Sequence, residues 1–198
     1  MKTIAIIENT GADFFNSRIR FAYFLKKKGC TVTAIVPNDG FVDKIKNIGF
    51  EVLVVGENIR GKSLINKLNF AIVIYKILSK NSFDIVHCFR MQPNIVGGFI
   101  GGILNLNVFN HITGLGILFT RTSLKYRLQK FIIKFCYQFN NRFFKTKYIF
   151  QNETDVFDLG ITKHYRVIRG STANEDVFYP NNKFSNSLLN KLKIKKGE

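Results

Sequence analysis

The segment 84–120 constrains the fold of this chain more than any other, because it reads as strand, turn, helix, strand and loop in immediate succession. Its helix carries the glycine pairs 97–98 and 101–102, and a further glycine-rich loop follows the second strand. The segment has no acidic residue after Asp84 and no lysine or arginine after Arg90. Such a unit predicts a parallel sheet, in which ligands bind at the edge formed by the strand-to-helix turns.

The same alternation of strands and helices continues along the whole chain. Apolar strands are predicted over 3–7, 31–36, 51–55, 84–87, 107–112, 148–151 and 165–168. Helices are predicted over 15–28, 41–48, 63–79, 94–104, 123–144 and 153–159, with Ser63 and Asn94 as possible N-caps. We therefore expect an α/β fold, a single doubly wound, Rossmann-like parallel sheet with helices on both faces. The polar, lysine-rich residues 181–198 are interpreted as a tail or as the start of a linker.

The charge of the chain is strongly positive, at +17, with 30 lysines and arginines against 13 acids. Such a charge is typical of proteins that meet nucleic acid, an anionic membrane surface or phosphate groups. Biased coding explains it equally simply, since lysine, asparagine, isoleucine and phenylalanine are all abundant. The three separated cysteines indicate free thiols in a reducing compartment, and neither metal-ligand spacing nor a signal peptide is found. A cytoplasmic protein is expected.

Three strand-to-helix turns carry candidate binding residues. Gly11 opens a helix whose N-terminus would attract an anion, and Arg18, one turn inside that helix, either adds a charged contact to the anion or is simply solvated. The dinucleotide and P-loop glycine patterns are absent. His87 and His111 lie near the ends of two strands, where each is either a structural histidine or part of a ligand pocket. The loop 113–116 exposes backbone amides for a phosphate or sugar, or is a plain tight turn.

Two predicted helices carry sequence patterns that indicate how they pack. The glycine pairs at 97–98 and 101–102 would let their helix approach the sheet or another helix closely. On the long helix, one apolar face is expected to pack on the sheet, formed by Leu124, Leu128, Phe131, Phe135 and Phe139. The residues opposite it, Arg127, Lys130 and Lys134, belong to a run of eight bases without an acid between 121 and 147. They are expected either to contact an anionic membrane surface or to form an ordinary solvated face.

Taken in order, these pieces resemble the N-terminal domain of family 4 glycosyltransferases of the GT-B fold, especially bacterial enzymes of surface-polysaccharide or lipid-linked oligosaccharide assembly. The matching pieces are Phe14, Phe15 and Arg18; Val36, Pro37 and Asp39; 84–87 with Pro93 and Asn94; Asn110 with 113–116, Phe119 and Thr120; 150–152 with Asp155; and 167–171 with Asn174, Phe178 and Pro180. The chain departs from the family pattern at Gln92, where relatives tend to have lysine, and at 170–173, where they tend to have Gly-Ser-Gly-Val.

The resemblance implies a retaining transfer of a sugar from a nucleotide-sugar to a lipid-linked acceptor, with 1–180 as the acceptor-binding domain. It implies that the donor binds to a second domain, expected to be absent from this chain, so that this domain holds no cofactor and the chain alone is expected to be inactive. No catalytic residue is assigned. The implied acceptor residues are Gly11, Arg18, His87, Arg90, Asn94, Thr113, Gly114 and Gly116, with His111 as a lesser candidate.

Expected partners are therefore a polyprenyl-diphosphate-linked sugar, the anionic inner-membrane surface and, if the enzyme is split, a separate donor-binding subunit. Two other functions stay open at this point. A non-catalytic membrane-associated subunit would share the fold but serve only to recruit a donor subunit. A basic nucleic-acid-binding module would explain the charge, but no signature of such a module occurs in the sequence.

Overall fold

The computed structural model describes residues 1–56 and 64–169. Its seven strands are β1 (Thr3–Ile7), β2 (Thr31–Val36), β3 (Glu51–Val54), β4 (Ile85–Phe89), β5 (Asn107–Ile112), β6 (Lys147–Phe150) and β7 (Tyr165–Val167). Its helices are α1 (Gly11–Asp13), which continues through a π-helical turn (Phe14–Arg18) into α2 (Ile19–Lys27), then α3 (Val42–Asn47), α4 (Leu64–Lys80), α5 (Met91–Ile103), α6 (Ile117–Thr120), α7 (Leu124–Phe143) and α8 (Glu153–Leu159).

The strands form one parallel sheet in the order β3-β2-β1-β4-β5-β6-β7, which confirms the predicted fold class. Ile6, for example, lies between Ala34 of β2 and His87 of β4. Because every strand runs in the same direction, all the turns that follow strands meet at one edge of the sheet, called the carboxyl edge below. The predictions for Ser63, for 170–173 and for the 181–198 tail concern residues outside the described ranges.

One face of the sheet, called side one, is covered by α1, α2 and α3. Its core contains Ile4 and Ile6 of β1, Phe14 of the π-helical turn and Ile45 of α3, which are all buried. The ring of Phe14 meets the ring of Phe50 edge to face, with their centroids 6.1 Å apart. Side one is a conventional aliphatic and aromatic core, whose burial stabilises the fold by the hydrophobic effect.

The other face, called side two, is covered by α4, α5 and α7, and the glycine pairs of α5 allow the close packing that was predicted. A β-carbon on Gly97 would collide with Cys88 of the sheet, and one on Gly102 would collide with the Phe144 ring that follows α7. A β-carbon on Gly98 would lie only 2.7 Å from Nδ2 of Asn140. The glycines therefore bring α5 against both the sheet and α7.

The start of α5 differs from the sequence prediction. The helix begins at Met91, so Asn94 is not its N-cap but lies inside the first turn, where it is buried. Pro93 is tolerated because the first residues of a helix have no intrahelical partner for their N–H groups. The preceding residue, Arg90, has φ 72° and turns the chain sharply from β4 into the helix.

The face of α7 that packs on the fold was predicted wrongly. Leu124, Leu128, Phe131 and Phe135 are exposed by 58–80% rather than buried, and Phe139 is half-buried. The buried residues of α7 are Tyr137, Asn140 and Asn141 instead. Two asparagines can face the interior here because both donate hydrogen bonds to backbone carbonyl groups, as described below. An apolar stripe is therefore left on the outside of the molecule.

Candidate functional site

The predicted acceptor residues other than His87 lie in the turns that follow β1, β4 and β5 or at the start of the next helix, and these strands are neighbours in the sheet. His87 lies inside β4. The parallel order therefore brings Gly11, Arg18, Arg90, Asn94 and the 113–116 loop to one edge, as a shared site requires. The roles of these residues in binding remain predictions, and their contacts are described next.

A buried carboxylate organises the first part of this edge. Glu8, the residue after β1, has no solvent exposure, and its Oε1 accepts a hydrogen bond from Nε of Arg18 at 2.9 Å. Its Oε2 lies 4.0 Å from Nε of Arg90. Burial raises the pKa of Glu8 above its ordinary value, and the charge of Arg18 opposes that shift. Glu8 was not selected from the sequence, although a charge placed directly after an apolar strand marks the carboxyl edge.

The two arginines differ in how much of each remains accessible. The Arg18 side chain is 16% exposed, and its guanidinium carbon lies 4.3 Å from the centroid of the Phe89 ring. The Arg90 side chain is 43% exposed, and its Nη2 donates to Oδ1 of Asp13 at 3.1 Å. Arg90 also has the positive φ described above, a conformation that costs a non-glycine residue free energy and often occurs at binding sites. It is therefore an oriented yet accessible cation.

The amides at the start of α1 already have partners within the chain. N of Ala12 donates to Oδ2 of Asp39 at 3.2 Å, and N of Asp13 donates to Oγ1 of Thr10 at 2.9 Å. Gly11 is needed because a β-carbon there would lie 2.6 Å from Oδ1 of Asp39. The anion that this helix start attracts is thus, in this structure, the carboxylate of Asp39.

His87, in the middle of β4, and His111, near the end of β5, form a pair on side one. Nδ1 of His87 lies 2.8 Å from Nε2 of His111, so one nitrogen donates a hydrogen bond to the other. Phe21 of α2 covers both rings from side one, with centroid distances of 5.1 and 5.9 Å. Burial lowers the pKa of His87 to about 4 and is the main cause that lowers the pKa of His111 to about 2. Both histidines are therefore neutral at neutral pH.

Asn94 belongs to a network of buried amides on side two. Its Nδ2 donates to the backbone carbonyl oxygen of His111 at 3.0 Å. The backbone carbonyl oxygen of Asn94 accepts a hydrogen bond from Nδ2 of Asn110 at 2.8 Å. On α7, Nδ2 of Asn140 donates to the Ile95 carbonyl at 3.0 Å, and Nδ2 of Asn141 donates to the carbonyl of Thr146 at 3.1 Å. These bonds join α5, β5 and α7 near the candidate site, so the network fixes the first turn of α5.

The loop after β5 leaves its backbone open. Gly114 has φ 121° and Gly116 has φ 69°, and a β-carbon on either would meet no atom within 4 Å. Leu115 between them is buried and anchors the loop against the core of side two. The glycines are required by backbone conformation rather than by space, because few L side chains adopt these φ values. Leu115 therefore fixes the loop, while the backbone on either side of it remains uncovered.

Helix α7 extends beyond α5 at the carboxyl edge. Its last turns contact α5, since Asn140 bonds to Ile95 and the Phe139 and Phe99 rings lie 6.3 Å apart. Residues 124–131 precede these contacts in α7 and form about 12 Å of helix, at 1.5 Å per residue. We call residues 124–132 the α7 arm.

The basic residues expected at a membrane differ in exposure. Arg127, on the arm, is exposed, and Lys130 and Lys134 are half-buried. Nζ of Lys130 donates to the Phe119 carbonyl at 2.6 Å. No helix in the described residues 1–56 and 64–169 has the length and apolar character needed to cross a bilayer.

Comparison with known proteins gives one family and several related structures. The sequence model of the family described as glycosyl transferase 4-like matches residues 3–147. A Campylobacter jejuni protein, N,N'-diacetylbacillosaminyl-diphospho-undecaprenol alpha-1,3-N-acetylgalactosaminyltransferase, is 23% identical over 182 residues, which is 89% of this chain and 48% of that protein.

Solved structures show the same fold. A glycosyltransferase from Rickettsia africae is 19% identical with a TM-score of 0.61, and the match covers 99% of this chain and 50% of that one. Anabaena Alr3699/HepE, in complex with UDP and glucose, is 13% identical with a TM-score of 0.62, and the match covers 97% of this chain and 50% of that one. The chain thus spans about half the length of these relatives. Because the family model covers well over half of the chain, the chain belongs to the glycosyl transferase 4-like family.

Proposed function

We propose that this chain is the acceptor-binding half of a glycosyltransferase that transfers a sugar, with retention, from a nucleotide-sugar to a lipid-linked, diphosphate-bearing acceptor. The observation that carries the proposal is the accessible Arg90 cation beside Glu8 and Arg18 at the carboxyl edge, in a chain of the glycosyl transferase 4-like family. The acceptor class is supported by the Campylobacter relative, whose name describes a diphospho-undecaprenol sugar.

In this proposal the three turns have different roles. Arg90 contacts the acceptor diphosphate through a charge-assisted hydrogen bond, and Glu8 and Asp13 hold its side chain in place. The backbone amides of Gly114 and Gly116 contact sugar hydroxyls or a phosphate oxygen. Arg18 is largely buried and orients Glu8.

The remaining candidates support this arrangement from inside the fold. Asn94 fixes the start of α5, and Gly11 accommodates Asp39 beside α1. The neutral pair of His87 and His111 joins β4 to β5 and adds no charge. Thr113 begins the open loop after β5. The nucleotide-sugar is assigned to a second lobe, either in the same polypeptide or in a partner subunit, and 1–180 to the acceptor domain.

The test of the diphosphate site is the binding of a water-soluble sugar diphosphate with a short lipid stub, measured by calorimetry on the whole chain. The Arg90→Gln variant should bind at least about tenfold more weakly, because a charge-assisted hydrogen bond contributes roughly 1.5–3 kcal/mol. Arg142→Gln is the matched control, since Arg142 is exposed at the opposite end of α7. Equal affinity of wild type and Arg90→Gln would contradict the proposal.

We also propose that the chain works at an anionic membrane surface, with the α7 arm in contact with the lipid. The arm combines four exposed apolar side chains, Leu124, Leu128, Phe131 and Ile132, with the exposed bases Lys125 and Arg127. Co-sedimentation with vesicles that contain anionic lipid should weaken about fivefold for each of these bases changed to glutamine, since each contributes about 1 kcal/mol near such a surface. Binding that is equal on neutral vesicles, or insensitive to salt, would contradict this part.

The isolated chain is expected to transfer no sugar by itself, because the donor is assigned to another lobe. Incubating it with a panel of nucleotide-sugars and the lipid-linked acceptor checks this expectation. Multiple turnovers by the purified chain would show that it holds both substrates and would overturn the division of roles.

A further inference from the structure

Side two contains an apolar cavity of about 320 Å³ between α4, α5 and α7. Its walls include Ala71 of α4, Ile95 and Phe99 of α5, and Cys136 and Phe139 of α7. An engineered apolar cavity of about 150 Å³ is large enough to bind benzene, and ligand pockets begin at about 300 Å³. The space is therefore large enough for part of a ligand and too large to be an ordinary packing defect.

The shape of the cavity follows from the residues around it. The glycine pairs draw α5 towards the sheet, and the small side chain of Ala71 leaves room on the α4 side. Phe99 and Phe135, exposed by 44% and 58%, stand beside the opening. Asn140 also lines the cavity, but its Nδ2 already donates to the Ile95 carbonyl, so the wall offers a ligand no charged group and little hydrogen bonding.

The position of the cavity connects it to the candidate site. Ile95 follows Asn94 directly, within the first turns of α5, and that helix starts at Arg90, where the acceptor diphosphate is proposed to bind. Beside the cavity, α4 and α5 present further exposed apolar side chains, namely Ile65, Leu68, Ile72, Tyr75 and Ile103. The exposed bases of the α7 arm would hold the same surface against anionic lipid.

We propose that this cavity binds part of the polyprenyl chain of the lipid-linked acceptor, so that α5 carries the diphosphate at its start and the hydrocarbon along its outer side. The inference rests on the proposed function. A hydrocarbon chain suits an opening between exposed rings with no charge in the wall, whereas a protein partner would cover the rings without entering the cavity.

The free thiol of Cys136 lines the cavity, so its reactivity reports whether a ligand occupies the cavity. Burial raises the pKa of this thiol, so its alkylation is measured at alkaline pH, peptide by peptide, by mass spectrometry. A polyprenyl phosphate in neutral phospholipid vesicles should slow alkylation of Cys136 at least about fivefold. Cys30, which is also half-buried but packs on side one, should react at an unchanged rate. Protection by vesicles that lack the polyprenyl lipid, or no protection at all, would overturn the inference.

A variant that fills the cavity makes the test independent of general membrane contact. Ala71→Phe places a ring in the cavity and should abolish protection of Cys136 by the polyprenyl phosphate, while the circular dichroism spectrum and the melting temperature stay native. Asn69→Phe adds the same ring at an exposed position of the same helix and should leave protection intact. Equal protection in Ala71→Phe and wild type would show that the chain does not enter this cavity.

Two further measurements separate this inference from the proposed function. If the short-chain sugar diphosphate binds with dependence on Arg90 while Cys136 remains unprotected by the polyprenyl phosphate, the cavity assignment fails and the acceptor site stands. If the polyprenyl phosphate protects Cys136 while the short-chain compound does not bind, the cavity assignment stands and the diphosphate site at Arg90 fails.

Discussion

The two sides of the sheet present opposite surfaces to their surroundings. On side one, the outward faces of α2 and α3 are formed mainly by exposed lysines and other polar residues, and where Phe24 is exposed Lys28 lies over its ring. On side two, the described residues of α4, α5 and α7 include many apolar side chains exposed by 44–80%, among them Ile65, Leu68, Ile72, Phe99, Ile103, Leu124, Leu128, Phe131, Ile132 and Phe135. Side one is thus suited to water and side two to an apolar environment.

Both interiors are mainly apolar, but they differ in their polar groups. Side one contains the histidine pair, whereas on side two asparagines join α5, β5 and α7 through bonds to backbone carbonyls. A helix whose outer apolar face is exposed to water gains no stability from that face, so its attachment depends on close packing and on directional bonds. The comparison therefore predicts different sensitivities for the two sides.

The largest expected loss of stability is where α5 contacts the asparagine network of side two. Gly98→Val should cost about 3 kcal/mol of unfolding free energy, because the new side chain displaces Asn140 and Asn110 from their hydrogen bonds. Ile103→Val on the same helix is the matched control, and it should change the free energy by no more than about 0.5 kcal/mol, since Ile103 is 54% exposed. Denaturant unfolding measures both, and equal costs would refute the description of α5 as tightly packed.

An intermediate loss of unfolding free energy is expected on side one when the pH is lowered. The folded state keeps His87 neutral down to a pKa of about 4, whereas the unfolded chain binds a proton near pH 6.5, so stability is lost as the pH falls between these values. By pH 5 the loss from His87 should reach about 2 kcal/mol.

His87→Gln should reduce this pH dependence, as read from denaturant midpoints at pH 7 and pH 5. His164→Asn is its control, because His164 is exposed and asparagine tolerates the same positive φ of 53°. A pH dependence that is unchanged in His87→Gln would contradict the buried, neutral pair.

The smallest change in stability is expected on the outer face of side two. Leu128→Gln and Phe131→Gln should each alter the unfolding free energy in water by less than about 0.5 kcal/mol, because both side chains are already solvated. Phe50→Gln, at a position 4% exposed on side one, should cost about 3 kcal/mol or more. Large losses from both α7 variants would mean that the arm packs against the fold in solution.

The sheet could be predicted from the sequence because short apolar segments alternated with helices that end at glycines. The helix surfaces could be predicted less well. On α7, the run of leucines and phenylalanines had the right spacing for a core face, but Tyr137, Asn140 and Asn141 form the buried face instead. Hydrophobic periodicity assigns asparagine to the outside, and it cannot detect that the partner of the Asn140 amide, the Ile95 carbonyl, lies 45 residues away.

The site was predicted in part for a similar reason. The turns after β1, β4 and β5 were expected at one edge because parallel strands share that edge. Glu8 was missed because its importance depends on Arg18 and Arg90, which reach it from two different turns. The contact between His87 and His111 likewise depends on the register of β4 against β5, which places Phe109 beside His87 and His111 beside Phe89.

The strand order has a consequence for how the polypeptide reaches its native state. Strand β1 precedes both of its neighbours in sequence and lies between β2 and β4, so one of its edges stays unpaired until residue 89 has emerged from the ribosome. Contacts between residues so distant in sequence form slowly, and nascent chains would expose β1 to aggregation or chaperones in the meantime. Loss of only the first eight residues would remove both this central strand and the carboxylate that holds Arg18.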